Sequence, residues 1–319
     1  MTKKERVLAV LNGQKPDEIP SGFWLHFPEG FENGEPAVSM HLKFFEESRT
    51  SICKIMNENT IPKNPLINTA ADWSDIKPIP KDDPIIVNQI ALVKEICGKM
   101  KGEAVMVATI HGIVASTFHC LCGVNHYNEK RMMLPEMLRE NPEGLKKAFG
   151  VVADYLSYLA AECVKAGCDG IYYAALGGEK FMFTDEEYEE FVKPFDLQVL
   201  NAVKDAPCNI LHMCKDGLNL NRYAGYPAAV YNWGIYSDNP SLVEGRKLFG
   251  EDKVYLGGLD DRSGVLVDGS DEDIIKAVHS VMDEFGTDRF ILGADCTLPT
   301  DVELHRVHVA IDAANSYLK

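Results

Sequence analysis

Short, uninterrupted apolar runs alternate with stretches of helical period along most of the chain. Such runs occupy residues 22–27, 51–57, 103–110, 168–175, 208–214, 228–234, 253–260 and 289–295. They do not alternate apolar with polar positions, which is the pattern of strands buried on both faces of a parallel sheet. Between them lie helical patterns. One opens the chain and stops at Asn12-Gly13, and one spans about 142–166 with Phe149, Val152, Tyr155, Leu156 and Leu159 on one face. Another starts at Thr184 with Glu187 three residues on, the spacing of a capping box. Two more carry start signals at Asp238-Asn239-Pro240 and at Ser270 to Asp273, and a last one closes the chain. Eight strand–helix units predict an α/β fold of the (β/α)8 TIM-barrel type. Residues 1–319 then form a single barrel domain with an N-terminal helical extension. A doubly wound open sheet is the alternative reading of the same alternation. The proline-rich stretch 60–83 reads as a long loop, a kind of segment that is usually functional in a compact domain.

Composition narrows the function classes. With 46% apolar residues, the chain has ample material for a core. The formal net charge of −16 argues against nucleic acid and against an anionic membrane surface as partners. There is no apolar segment of about 18 residues and no secretion signal at the start of the sequence, so the expectation is a cytoplasmic protein that spans no membrane. Nine scattered cysteines fit reduced thiols better than a disulfide framework.

Barrel enzymes build their sites where strands end at the C-terminal face, so strand ends are where chemistry is sought. The fifth run ends in His212-Met213-Cys214 and the eighth passes directly into Asp295-Cys296. Side chains two apart on an extended backbone point the same way, so His212 and Cys214 converge, and Cys296 reaches them across a narrow barrel. One imidazole and two thiolates select zinc, and three protein ligands leave a coordination place open for catalysis. Core packing also accounts for any one of the three taken alone. His119, Cys120 and Cys122, with His111 and His126 nearby, form a rival cluster whose spacing is not that of a common zinc motif. His26, Tyr173, Asn232 and Asp260 end other runs and are the candidate substrate-binding residues, each equally explained by packing or turn formation.

Three segments carry a resemblance: ERVLAVLNGQKPDEIP at the start, ADWSDIKPIP before the third strand, and His212-x-Cys214 followed by Cys296 in LGADC. In these the chain resembles the uroporphyrinogen decarboxylase superfamily, and within it the cobalamin-linked methyltransferases of the methylcobamide:coenzyme M type, over nearly its whole length. The resemblance implies the barrel, and it implies His212, Cys214 and Cys296 as zinc ligands. It further implies methyl transfer between a corrinoid protein and a thiol or a methylated small substrate, as in methanogenesis-like one-carbon metabolism. No D-x-H-x-x-G corrinoid motif is present, so the cobalamin would come on a partner protein. Porphyrin decarboxylases of the superfamily carry an Arg-rich motif after the first strand. Here that stretch reads GFWLHFPEGFENG, without arginine. A barrel acting on another substrate without zinc, and a non-catalytic tetrapyrrole- or corrinoid-binding module, are the alternatives.

Overall fold

The computed structural model describes residues 1–100, 102–236 and 238–318. Its eight parallel strands are β1 (Ser21–Gly22), β2 (Ile52–Ile55), β3 (Val105–His111), β4 (Gly170–Ala175), β5 (Ile210–Met213), β6 (Val230–Trp233), β7 (Val254–Leu259) and β8 (Phe290–Ala294). They hydrogen-bond in the order β1-β8-β7-β6-β5-β4-β3-β2. The seam between β1 and β2 is bridged where Ser51 N–H donates to Ser21 O at 2.8 Å. Thr50 Oγ1 also donates to Ser21 O at 3.0 Å and accepts from Phe23 N–H at 3.2 Å. The result is a nearly closed (β/α)8 barrel, as the alternation of runs predicts.

Strand β1 is much shorter than the apolar run 22–27. Beyond Gly22 only Leu25 pairs again, with Leu298. A threonine side chain takes over pairing at this seam, so apolar residues there pack without forming a ladder. The stretch 60–83 contains a 3₁₀ helix, Ala70–Asp75, whose Trp73 is buried. The helical pattern beginning at Thr184 has its capping box but is broken by a π turn at Tyr188–Val192, just before Pro194. Proline lacks the N–H that an α-helix needs there.

Strand parity divides the core. Ile52, Val105, Val107, Tyr172, Ile210, Val230, Val254 and Ile291 fill the barrel lumen together with Trp24, and Val7 and Val10 of the helix Lys3–Leu11 pack against them. The alternate positions, among them Tyr173, Leu211 and Met213, face the surrounding helices. A side chain's parity on its strand therefore decides whether it can reach the barrel mouth.

One clamp outside the lumen gives a pH prediction. His41, on the helix Gly34–Ser48, donates from Nδ1 to Ala37 O at 2.7 Å and accepts Met56 N–H on Nε2 at 3.0 Å. The neutral ring is thus fully used, and burial pulls its pKa from 6.5 to about 4. The folded value lies below the unfolded one. The contribution is therefore complete above about pH 6.5 and is lost as the pH falls toward 4. About 3 kcal/mol of pH-dependent stability is expected from this group. Urea titrations between pH 7 and 4.5 should show this loss, and His41→Gln should flatten it.

Candidate metal centre

Residues His212 and Cys214 lie at the C-terminal end of β5, and Cys296 lies two residues past the end of β8. His212 shares the inward parity of Ile210 and sits in register with Asn232 on β6. The donor atoms of His212, Cys214 and Cys296 all lie within 4.8 Å of one another. Cys296 Sγ is 3.3 Å from His212 Nε2 and 4.0 Å from Cys214 Sγ. Zinc bonds of about 2.3 Å to sulfur and about 2.0–2.1 Å to nitrogen, at tetrahedral angles, require S···N near 3.5 Å and S···S near 3.8 Å. The two Cys296 separations fit a tetrahedral ion with small adjustments, and the His212 and Cys214 donors lie within 4.8 Å of each other. Among the described residues no other cluster of His, Cys, Asp and Glu has this character.

The surroundings hold His212 in the tautomer a metal needs. Asn232 Nδ2 donates to Leu256 O at 2.9 Å and to Ala294 O at 3.3 Å, which fixes the amide's orientation. Its Oδ1 therefore faces His212 Nδ1 at 2.6 Å and accepts that proton, leaving the Nε2 lone pair toward Cys296. Tyr172 lies against the imidazole, with ring centroids 5.2 Å apart and planes 21° from parallel. Asp295, buried beside Cys296, accepts from Ile235 N–H at 2.7 Å and Gly258 N–H at 3.3 Å, tying β8 to the ends of β6 and β7. Burial raises its pKa well above the usual carboxylate value. Gly257 has φ 142°, a conformation that side-chain-bearing residues rarely adopt, while a Cβ there would make only ordinary contact with Asn232 Nδ2 at 3.4 Å and Asp295 Oδ1 at 3.5 Å, so backbone conformation and not space calls for glycine. Of the thiol pair, Cys296 is the more acidic, because the hydrogen bond from Cys214 favours its thiolate.

Two cavities meet at this cluster, and both are bordered by His212, Cys214, Cys296, Lys215 and Arg262. The inner one, about 190 Å³, continues to Lys54, Thr109, His111, His119 and Tyr172. The outer one, about 410 Å³, opens toward Arg131, Tyr236, Asp260 and Asp261. Burial, with the Cys296 charge, raises Asp261 to about 6. A larger cavity of about 660 Å³ lies apart, beneath residues 61–85, and shares none of these groups.

The predicted pocket residues part company here. His26 lines the inner cavity, exposed, with Nδ1 on Glu58 Oε1 at 2.7 Å. Asn232 is fully buried and acts on His212, not on the cavity. Asp260 borders the outer cavity, but its carboxylate accepts from Arg262 N–H at 3.0 Å and Ser263 Oγ at 2.9 Å and so shapes the turn. Tyr173 is a correction: it lies in register with Leu211, faces the helices, and donates its hydroxyl hydrogen bond to buried Asp196. Tyr172, one residue earlier, has the inward parity and lines the cavity. The rival cluster also separates. On the helix Ile113–Cys122, His119 faces the inner cavity, Cys120 borders the distant one, and Cys122 contacts Met133 Sδ at 3.9 Å.

Lys54 escapes the strand-end reading altogether. It is a lone lysine inside the apolar run SICKIMN, and that isolation is the signal that marks it. Ile52 points into the lumen, so Lys54, two residues on, does as well. It is 4% exposed, and burial lowers its pKa from 10.5 to about 8.

Fold and site together define a class: a (β/α)8 barrel with a compact imidazole–dithiol set at its C-terminal mouth. The Uroporphyrinogen decarboxylase (URO-D) family model matches residues 55–317, and the chain belongs to that family. Among solved structures, a methyltransferase from Methanosarcina mazei superposes over 100% of both chains, with TM-score 0.72 and 17% identity. A B12-independent methionine synthase from Shewanella sp. W3-18-1 aligns over 94% of this chain and 95% of its own, with TM-score 0.57 and 13% identity. A putative vitamin-B12-independent methionine synthase from Listeria monocytogenes gives 0.59 and 12%, over 94% of this chain and 96% of its own. At these identities the likeness is one of fold. No curated protein matches in sequence.

Proposed function

We propose that the chain, working as one barrel domain in the cytoplasm, is a zinc-dependent methyltransferase. It would move a methyl group between a corrinoid protein and a small thiol or methylated substrate. The observation that carries this reading is the ligand set itself: one imidazole and two thiols with donor atoms within 4.8 Å of one another, at the mouth of a URO-D-family barrel. The structural likeness to the Methanosarcina mazei methyltransferase supports it.

His212, Cys214 and Cys296 would hold the ion. When bound, zinc lowers the pKa of a thiol or withdraws electron density from an ether oxygen. The chain's own residues do the rest. Asn232 keeps His212 Nε2 unprotonated and aimed, Tyr172 packs against the imidazole, and Asp295 holds the strand ends in position. The inner cavity, about 190 Å³, is below the roughly 300–1,000 Å³ of most ligand pockets, which suits a small substrate and not a tetrapyrrole. The outer cavity, which the ligand set also borders, is where a methyl-carrying partner would approach.

The test is demethylation of methylcobalamin, and methylation of cob(I)alamin, followed through the cobalt spectrum against a panel of thiols, methoxy compounds and methylamines. Turnover should appear with zinc-loaded chain and vanish after chelation. Stoichiometric zinc with no methyl transfer to or from any panel member would overturn the activity, and a chain that retains no metal under reducing conditions would overturn the metal centre.

A further inference from the structure

A second pair of thiols stands at the other end of the barrel from the metal centre. Cys97 lies near the end of the helix Pro84–Met100, and Cys168 lies in the turn between the helix Pro142–Lys165 and β4. They are 71 positions apart in sequence, yet their sulfurs are 3.8 Å apart. The turn closes tightly on the helix. Gly167 has φ 123°, and a Cβ there would come 3.0 Å from Cys97 Cβ, so a glycine permits the approach. The turn is also fixed from its far side. Asp169 N–H donates to Met106 O at 2.8 Å, and the Asp169 carboxylate accepts from Met106 N–H at 3.0 Å and from Lys4 Nζ at 2.5 Å. Two supports, each held by its own contacts, therefore bring these sulfurs together.

Two other cysteines lie close by and differ in chemistry. Cys53 and Cys163 are fully buried, and burial pushes each thiol up to about 12. Such thiols carry almost no thiolate near neutral pH and are inert. Cys97 is only partly buried, and the hydrogen bond that Cys168 donates holds its pKa below the ordinary thiol value. Cys168, the donor, is raised by the same bond. Among the described residues no third ligating side chain joins the two at metal-binding distance. An accessible sulfur inclined to the thiolate, with a second thiol against it, is the arrangement of an oxidant-reactive cysteine and its resolving partner.

We infer that Cys97 and Cys168 form a redox-modification site, which closes to an intrachain disulfide when the folded chain meets a hydroperoxide. With hydrogen peroxide, the Cys97 thiolate attacks one oxygen, the O–O bond breaks and hydroxide leaves, so the sulfur is oxidised to sulfenic acid. Cys168 Sγ then attacks that sulfur, the S–O bond breaks, and the thiol proton departs with the oxygen as water. Two thiols give up two electrons, and one peroxide takes them. The bond ties the helix between β2 and β3 to the turn that enters β4. It leaves His212, Cys214 and Cys296, at the opposite strand ends, untouched. In a reducing compartment the pair stays open until an oxidant arrives. This chemistry is independent of the proposed methyl transfer.

The experiment treats the folded wild-type chain, with zinc added, with one equivalent of hydrogen peroxide. Remaining thiols are then blocked with N-ethylmaleimide in denaturant, and the chain is digested without reductant and analysed by mass spectrometry. A peptide linking Cys97 to Cys168 is expected, and dithiothreitol should remove it. The oxidised chain should melt several degrees higher than the reduced one, because the bond closes a long loop in the unfolded state, and its zinc content should not change. Cys97→Ser should abolish the link. Cys168→Ser should also abolish it, but leave a sulfenic acid on Cys97 that dimedone traps. Three wild-type results overturn the inference without any variant having to fold: both thiols still blocked by maleimide, Cys97 carried past sulfenic acid with no link, or a Cys214–Cys296 link alone. A Cys97–Cys168 link that forms only when peroxide is added in denaturant overturns it as well.

Discussion

Cys214→Ser should give a folded chain that no longer retains zinc through gel filtration, where wild type retains it stoichiometrically. The substitution keeps the shape of the side chain but replaces a soft thiolate with a hydroxyl that stays protonated at neutral pH. The remaining pair, His212 and Cys296, cannot hold the ion at a mouth open to water. Changing a group that merely supports a ligand costs roughly 10–100-fold in metal affinity or activity, and loss of a ligand should exceed that. Zinc content by mass spectrometry and methyl transfer should therefore fall together, while the circular dichroism spectrum is unchanged. Full zinc retention by Cys214→Ser would show that these donors are packing and not a metal site.

Asn232→Ala should damage both the site and the barrel. Asn232 is the only partner of His212 Nδ1 among the described residues, and it also satisfies the carbonyls of Leu256 and Ala294. Removing it frees the imidazole to take the other tautomer, which would place a proton on the ligating nitrogen. Zinc affinity should drop roughly 10–100-fold. Each buried polar group left unpaired costs about 1–3 kcal/mol, so the unfolding midpoint should fall as well. Asn232→Asp separates the two effects: it keeps an acceptor on Nδ1 but loses both donors. Zinc affinity should then recover relative to the alanine variant while stability stays low. Equal zinc affinity in all three proteins would show that the contact to His212 has no role in binding.

Much of this site is legible along the chain because barrel geometry turns strand ends into a ring. The i, i+2 spacing of His212 and Cys214 on an extended run already implies convergence, and the eighth run ending at Asp295-Cys296 supplies the third donor. The same parity rule, carried one strand back, separates Tyr172 from Tyr173: the residue in step with Ile210 faces the lumen, and the one in step with Leu211 faces the helices. Asp260 and Asn232 show where the rule stops. Both have polar side chains at strand ends, yet one is consumed by its own turn and the other by a neighbouring ligand, because hydrogen-bond partners from other segments take them first.

The sequence by itself therefore determined the eight-unit alternation and the three candidate donors, which follow from periodicity and from where the runs end, and the family resemblance, which rests on three short segments. Only the tertiary structure decided what depends on long-range closure. It showed the β1–β2 seam held through Thr50 and Ser51, the separation of His119, Cys120 and Cys122 around one helix, and the meeting of two cavities at the ligand set. It also placed Lys54 in the cavity that the ligand set borders. A lysine in an apolar run signals a buried charge, but which groups it faces is set by strands far away in sequence, and only their register brings them together.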